Sequence, residues 1–266
     1  MDLDLAGKVA IVTGGSRGIG KAIGRALVQE GAHVALVARN QSALDGAAAD
    51  IVKQVPGKAK GFVCDTTDNA SVKKMVADVI AAFGRVDILV NCAAKPSVQG
   101  RPPTLDEITT EEVWDHVNTK VVGYLRTVQA VMPHMIKQKS GRIINVSGLG
   151  ARHTGTTVGS IRNVGVAALT KNMADELSSH GIQAICVHPG LIRTEATPGV
   201  IAARAKTAGV SEAEIEKRMN GGNLVKKLIT AEQIGDLVAF LASPKSMAIN
   251  GDAIPAGGGT PGSIYY

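Results

Sequence analysis

The chain is short of aromatic residues, short of cysteine, and without a long apolar run. Seven aromatic side chains, 3% of 266 residues, are too few to interleave with cations as a stacking platform for nucleic acid. Lys and Arg exceed Asp and Glu by enough for a formal charge of +6, but the two signs are interspersed. No nucleic-acid partner is expected from so mixed a distribution. The three cysteines, Cys64, Cys92 and Cys186, fall in or beside apolar runs, at neither disulfide nor metal-ligand spacing, so buried thiols and no metal are expected. No apolar segment approaches the ~20 residues that span a bilayer. The opening Met1-Asp2-Leu3-Asp4-Leu5 has neither the basic start nor the apolar core of a leader. A soluble, cytoplasmic protein with no membrane partner is the expectation.

What the chain has in quantity is aliphatic residues and glycine: 45% of it is hydrophobic and 31 residues are Gly. Short aliphatic runs, Lys8 to Thr13, His33 to Ala38, Gly61 to Cys64, Asp87 to Asn91, Arg142 to Ser147, Gln183 to His188 and Asp252 to Ala256, alternate with longer amphipathic stretches. This β-α repeat predicts a single-domain α/β Rossmann fold over residues 1–266. Its doubly wound parallel sheet has about seven strands with helices on both faces. Right-handed crossovers then put the ligand crevice at the carboxyl ends of the strands.

The first strand leads into Thr13-Gly14-Gly15-Ser16-Arg17-Gly18-Ile19-Gly20. Closely spaced glycines between a strand and a helix let backbone N–H groups and the helix's positive end face a pyrophosphate. The second strand ends Val37-Ala38-Arg39-Asn40, where a free ribose 2′-OH would call for Asp or Glu. Arg39, with Arg17 in the glycine turn, suits a 2′-phosphate instead, so NADP(H) is preferred and NAD(H) possible; the alternative is two solvated arginines. Asp65, in Cys64-Asp65-Thr66, can accept from an adenine amino group or cap the following helix.

These positions, with Asn91-Cys92-Ala93-Ala94, Asn118, Pro189-Gly190-Leu191-Ile192-Arg193-Thr194 and the Gly251–Gly258 tail, resemble the short-chain dehydrogenase/reductase family over nearly the whole chain. The resemblance implies a nicotinamide-dependent oxidoreductase acting on a small carbonyl or alcohol substrate. It implies a cofactor bed of Gly14, Ser16, Arg17, Gly18, Ile19, Gly20, Arg39, Asn40, Asp65, Thr66, Asn91, Cys92, Ala93, Pro189, Gly190, Ile192 and Thr194. In it Asn91 would help hold the glycine turn, Ala93 would lie near the adenine ribose, and Ile192 and Thr194 would contact the carboxamide. It also implies a homotetramer or homodimer built on the helices beginning near Asn118 and Thr157.

Carbonyl reduction needs a proton donor and a group that holds the carbonyl oxygen. In the family these are a Tyr, a Lys four residues later, a Ser and an Asn. Asn118 matches the Asn, at the start of a helix with the apolar stripe Val121, Val122, Leu125, Val128, Met132 and Met135. Anchored on Ala167–Lys171, the Tyr and Lys positions hold Gly159 and Asn163; a one-residue slip gives Val158 and Arg162. Neither register supplies a phenol. Ser147 or Gly148 takes the Ser position. Tyr124 lies about six residues past Asn118 and faces elsewhere at 3.6 residues per turn, while Tyr265 and Tyr266 end the chain. Asn118, Ser147, Asn163 and the loop residue His153, able to pass a proton near neutral pH, are the catalytic candidates.

Residues 195–227 fall where the family carries a substrate lid. Ser211-Glu212-Ala213-Glu214 reads as a capping box and Gly199, Gly209, Gly221 and Gly222 as hinges. Three functions fit: an oxidoreductase with an atypical proton donor, a redox-silent NADP(H)-binding protein acting as sensor, scaffold or heteromer partner, and a lyase or isomerase.

Overall fold

The computed structural model describes residues 1–95 and 101–264; Tyr265 and Tyr266 lie outside the described residues. The chain begins β1 (Val9–Thr13), α1 (Gly18–Gln29), β2 (His33–Ala38), α2 (Gln41–Gln54), β3 (Lys58–Val63), α3 (Asn69–Phe83) and β4 (Ile88–Asn91). It continues through α4 (Thr110–Val117), α5 (Gly123–Gln138), β5 (Gly141–Val146), α6 (Thr157–Leu177) and β6 (Ile182–Pro189). The last part is β7 (Ile192–Arg193), α7 (Thr197–Ala208), α8 (Glu212–Gly221), β8 (Ile229–Thr230), α9 (Ala231–Ala242) and β9 (Ala253–Ala256).

Seven strands form one parallel sheet in the order β3-β2-β1-β4-β5-β6-β9, the single α/β domain expected. The inner strands are aliphatic and buried on both faces, as a sheet covered on both sides requires. Leu27, Leu44, Ile51, Ile234 and Val238 cover one face; Val72, Met75, Val128, Met135 and Leu177 cover the other. Each such side chain contributes about 1.5–3 kcal/mol by leaving water. β3 starts three residues earlier than the apolar run at Gly61 suggests, because an edge strand tolerates the exposed Lys58 and Lys60. A second, two-stranded sheet pairs Ile192 with Ile229 and Arg193 with Thr230. Among the described residues no helix is long and apolar enough to cross a membrane.

Caps fix where several helices begin. Asn40 accepts from the Ala43 N–H at 2.9 Å, Asp68 from Ala70 and Ser71 at 2.6 and 3.1 Å, and Thr156 from Gly159 at 3.0 Å. Ser211 caps α8 through the Glu214 N–H, but the Glu214 carboxylate bonds Arg218 instead of closing a box.

Between α4 and α5 the backbone makes a π turn over Asn118–Val122. Buried here are Lys120, Gly123, Tyr124, Thr127, Val128, Val131 and Met135, whereas Leu125 of the expected stripe is 37% exposed.

Candidate active site

The order of the sheet reverses between β1 and β4, so the turn after β1 and the segment after β4 flank a crevice at their carboxyl ends. Thr13 ties the two together: its Oγ1 accepts from the Cys92 and Ala93 N–H groups at 3.0 and 3.1 Å. Gly14, at φ +69°, lies against Ala93, where an added Cβ would come within 3.1 Å of backbone. A Cβ on Gly20 would run into the Gly14 carbonyl. The N-terminus of α1 already holds an anion, because the Gly18 N–H donates to the Glu195 carboxylate at 2.8 Å. A glycine cradle with no room for a Cβ and an N–H that takes a carboxylate fit the pyrophosphate of a dinucleotide.

From this crevice a cavity of about 570 Å³ extends between the ends of β5 and β6, the start of α6 and the segment around α8. Ile19, Cys92, Pro189 and Gly190 line it on the glycine-turn side, and Met219, Asn223 and Leu228 on the α8 side. Helices α7 and α8, with Leu228 after them, carry their own apolar cluster of Ile201, Ala205, Ile215, Met219 and Leu228, and an Arg193–Glu216 ion pair ties β7 to α8. α6 presents Gly159, Ser160, Arg162 and Asn163 to the cavity, and Val158 is buried outside the lining.

At the floor, the Lys120 Nζ donates to the Ser147 carbonyl at 2.8 Å and to Asn163 Oδ1 at 2.9 Å. Lys120 is 4% exposed, and both its acceptors are neutral. It comes from the π turn, and its ammonium meets Asn163 of α6. The Ser147 hydroxyl donates to the Asn163 carbonyl at 2.9 Å. The Arg162 Nη1 donates to the Lys95 carbonyl at 3.0 Å and lies 2.6 Å from His116 Nδ1. Since a guanidinium only donates, Nδ1 accepts and the His116 proton sits on Nε2.

Burial dominates the electrostatics. It pushes Lys120 down from 10.5 to about 7, and the nearby Arg162 charge adds to the effect. Burial likewise lowers His188 to about 4, helped by Arg152 and Lys120, and raises Cys92 to about 11 against the pull of Lys120. His116 is lowered by burial and then by Arg162. Among the described residues lining the cavity there is no Tyr and no carboxylate. An amine poised near neutrality can give or take a proton there.

The expected residues divide between the cavity and its surroundings. Ser147, His153 and Asn163 line the cavity, with His153 exposed and its Nδ1 2.8 Å from the Thr154 carbonyl. Asn118 does not line it; its Oδ1 accepts from Arg126 at 2.9 Å. Asn91 is buried in a strut beneath the site, its amide donating to Asn145 and its oxygen accepting from Thr127, while Thr13 bonds the segment after β4. Arg17, Arg39 and Asn40 are exposed at the ends of β1 and β2, and Asn40 caps α2. Asp65 accepts from the Thr67 N–H and hydroxyl, which hold its carboxyl below the ordinary range, with a smaller contribution from Arg39. Thr66 is buried against Gly123, and Thr194 neighbours Gly18 with Ile192 half-buried beside it. Tyr124 donates to the Val146 carbonyl at 2.9 Å, away from the cavity. Sequence reasoning missed Lys120 and Glu195. A cation flanked by Val121 and Val122 at a helix start was the available signal for Lys120.

A family model described as short chain dehydrogenase matches residues 8–205. Dehydrogenase/reductase SDR family member 4 from Sus scrofa is 34% identical over 96% of this chain and 88% of its own length. The 3-oxoacyl-acyl-carrier-protein reductase FabG of Thermotoga maritima is 33% identical over 96% and 98%. Among solved structures, L-sorbose reductase from Gluconobacter frateurii, complexed with NADPH and L-sorbose, superposes with a TM-score of 0.90 at 26% identity, covering 99% of this chain and all of that one.

Proposed function

The chain belongs to the short-chain dehydrogenase/reductase family, and we propose that it interconverts a small carbonyl compound and its alcohol with NADP(H) in preference to NAD(H), using an atypical proton donor. The observation that carries this reading is the continuous cavity that runs from Ile19 of the glycine turn to Ser147, Asn163 and Lys120. A cofactor bed and a proton-transferring cluster share one space.

The dinucleotide would be held by the Gly14–Gly20 turn, by Asp65 and Ala93 on the adenosine side, and by the 189–194 segment on the nicotinamide side; when bound it supplies or accepts the hydride. Arg17 and Arg39 would pair with the 2′-phosphate, and no carboxylate follows β2 to favour a free 2′-OH. The cavity walls would exclude water and align the substrate carbonyl. Lid helices α7 and α8, hinged at Gly209, would move to admit the substrate. The three cysteines are free thiols, which suits a cytoplasmic setting. Exposed Leu125 on α5 with Ile161 and Val164 on α6 supports a homodimer or homotetramer built on those helices.

The test is calorimetric titration with NADPH and NADH, followed by turnover on a panel of ketones, aldehydes and enones. NADPH should bind more tightly, and Arg39→Ala should reduce the preference. Tight binding of NADPH with no turnover of any panel member would favour the redox-silent reading, which the lack of a phenol among the described residues of the cavity lining supports.

A further inference from the structure

We propose that Lys120 is the proton donor and acceptor of this site, replacing the missing phenol from a different helix. The role rests on the redox reading above. Three observations converge on it.

The first is position. The Lys120 Nζ lies at the cavity floor, between Ser147 and Asn163, which the family resemblance offers for the Ser and Lys places. The second is valence. An ammonium has three N–H donors; two are taken by the Ser147 carbonyl and Asn163 Oδ1, which leaves one for a substrate oxygen. Those two bonds also fix the head of an otherwise flexible side chain. The third is the backbone that delivers it. Lys120 lies in the π turn over Asn118–Val122 and heads the buried face that continues through Tyr124, Thr127, Val131 and Met135, and such widened turns recur at functional sites.

The charged and titratable groups that face it come from four elements: Arg162 on α6, His116 on α4 through Arg162, Cys92 after β4, and Cys186 and His188 on β6. None is a carboxylate. Burial and the Arg162 charge keep the proton loosely held, at about 7, as a donor working at neutral pH requires.

In reduction the carbonyl carbon gains a hydride from the dinucleotide, and the C=O π pair passes to oxygen. That oxygen takes a proton from the Lys120 ammonium. The resulting neutral amine keeps its place, with Asn163 Oδ1 and the Ser147 carbonyl still accepting, and regains a proton from solvent at the cavity mouth. Oxidation runs in reverse: the neutral amine takes the hydroxyl proton while the carbinol hydride leaves to the oxidised dinucleotide. Asn163 is then a positioning residue.

Two measurements test this. First, the protein labelled with ¹³C-lysine, with Lys120→Arg as the assignment control, is titrated by NMR without cofactor. One Cε resonance, absent in the variant, should titrate near pH 7; a midpoint at the ordinary 10.5 overturns the role. Second, single-turnover NADPH oxidation against the carbonyl panel is compared for wild type, Lys120→Arg and Lys120→Met, with NADPH affinity and Tm measured alongside. Lys120→Met should lose about 10²–10⁴-fold in rate while still folding and binding NADPH. Lys120→Arg, which keeps the charge, should lose the break near pH 7. Wild-type rate and pH profile in both variants overturn the donor role alone. Wild-type protein that binds NADPH but reduces nothing overturns the redox reading and the role together.

Discussion

Replacing Lys120 with Met should change how stability depends on pH. The ammonium is buried at 4% exposure, beside Arg162 and with only neutral acceptors, and holds its proton to about pH 7 instead of 10.5. Below about pH 7 folded and unfolded chains both carry the proton, and this group adds no pH dependence. Between about 7 and 10.5 the unfolded chain binds a proton that the folded chain does not, so unfolding free energy rises with pH, by about 1.4 kcal/mol per pH unit for one full proton. Across the window that is about 5 kcal/mol, and between pH 7 and 9 about 2–3 kcal/mol. Other lysines, tyrosines and thiols titrate in the same range, so the quantity to read is the wild-type minus variant difference. Urea unfolding of the cofactor-free protein at pH 6, 7, 8 and 9, followed by circular dichroism, gives it directly. A slope of about 1–3 kcal/mol per molar urea turns 2–3 kcal/mol into a midpoint difference of about 1 M. Methionine is similar in length and apolar, which limits cavity effects, and any constant cost of leaving Asn163 and Ser147 without their donor cancels from the pH dependence. Parallel curves for the two proteins from pH 6 to 9 would refute the inference that Lys120 is a desolvated, weakly basic amine.

Other perturbations bear on the cofactor side. Glu195→Ala removes the carboxylate that Gly18 holds at the α1 N-terminus, so NADPH should bind about 2- to 5-fold more tightly, the equivalent of about 0.3–1 kcal/mol at a helix end; isothermal calorimetry reads it. Gly20→Ala drives a Cβ into the Gly14 backbone and should cost about 1–3 kcal/mol of stability with a large loss of NADPH affinity, measured by thermal shift and calorimetry. Installing the family pair through Gly159→Tyr and Asn163→Lys should give a poorly active protein, because the second change sets an ammonium against Lys120 where Asn163 now accepts at 2.9 Å. Two ammoniums about 4 Å apart repel by about 4 kcal/mol at an effective dielectric of about 20. Adding Lys120→Thr should restore both stability and carbonyl reduction.

The strands were legible because a buried parallel sheet leaves an unbroken aliphatic run, and six of the seven main strands begin within a residue of the run that marks them. β3 was blurred by its edge position, which allows Lys58 and Lys60 into the pattern. The glycine turn was legible because its glycines cluster between a strand and a helix, Gly14 taking a positive φ and Gly20 leaving no room for a Cβ. Lys120 was not. Its buried neighbours Tyr124, Thr127, Val131 and Met135 follow at ordinary helical spacing, but the apolar stripe through Val121, Leu125 and Met132 marks an adjoining face, so the apolar pattern points to Leu125, which is outward, and passes over the lysine. The sequence also shows Gly159 and Asn163 as losses, and only the packed structure reveals that Asn163 has acquired a partner from another helix. Glu195 was invisible for a related reason, since its contact with Gly18 joins residues far apart in the chain.

Deuterium transfer tests the central claim most directly. With [4-²H]NADPH, stereospecifically labelled on each face in turn, and the carbonyl panel, the account predicts that one labelled form delivers deuterium to the carbinol carbon of at least one product, with no transfer from the other. Protein that binds NADPH yet transfers deuterium from neither form to any panel member would contradict it.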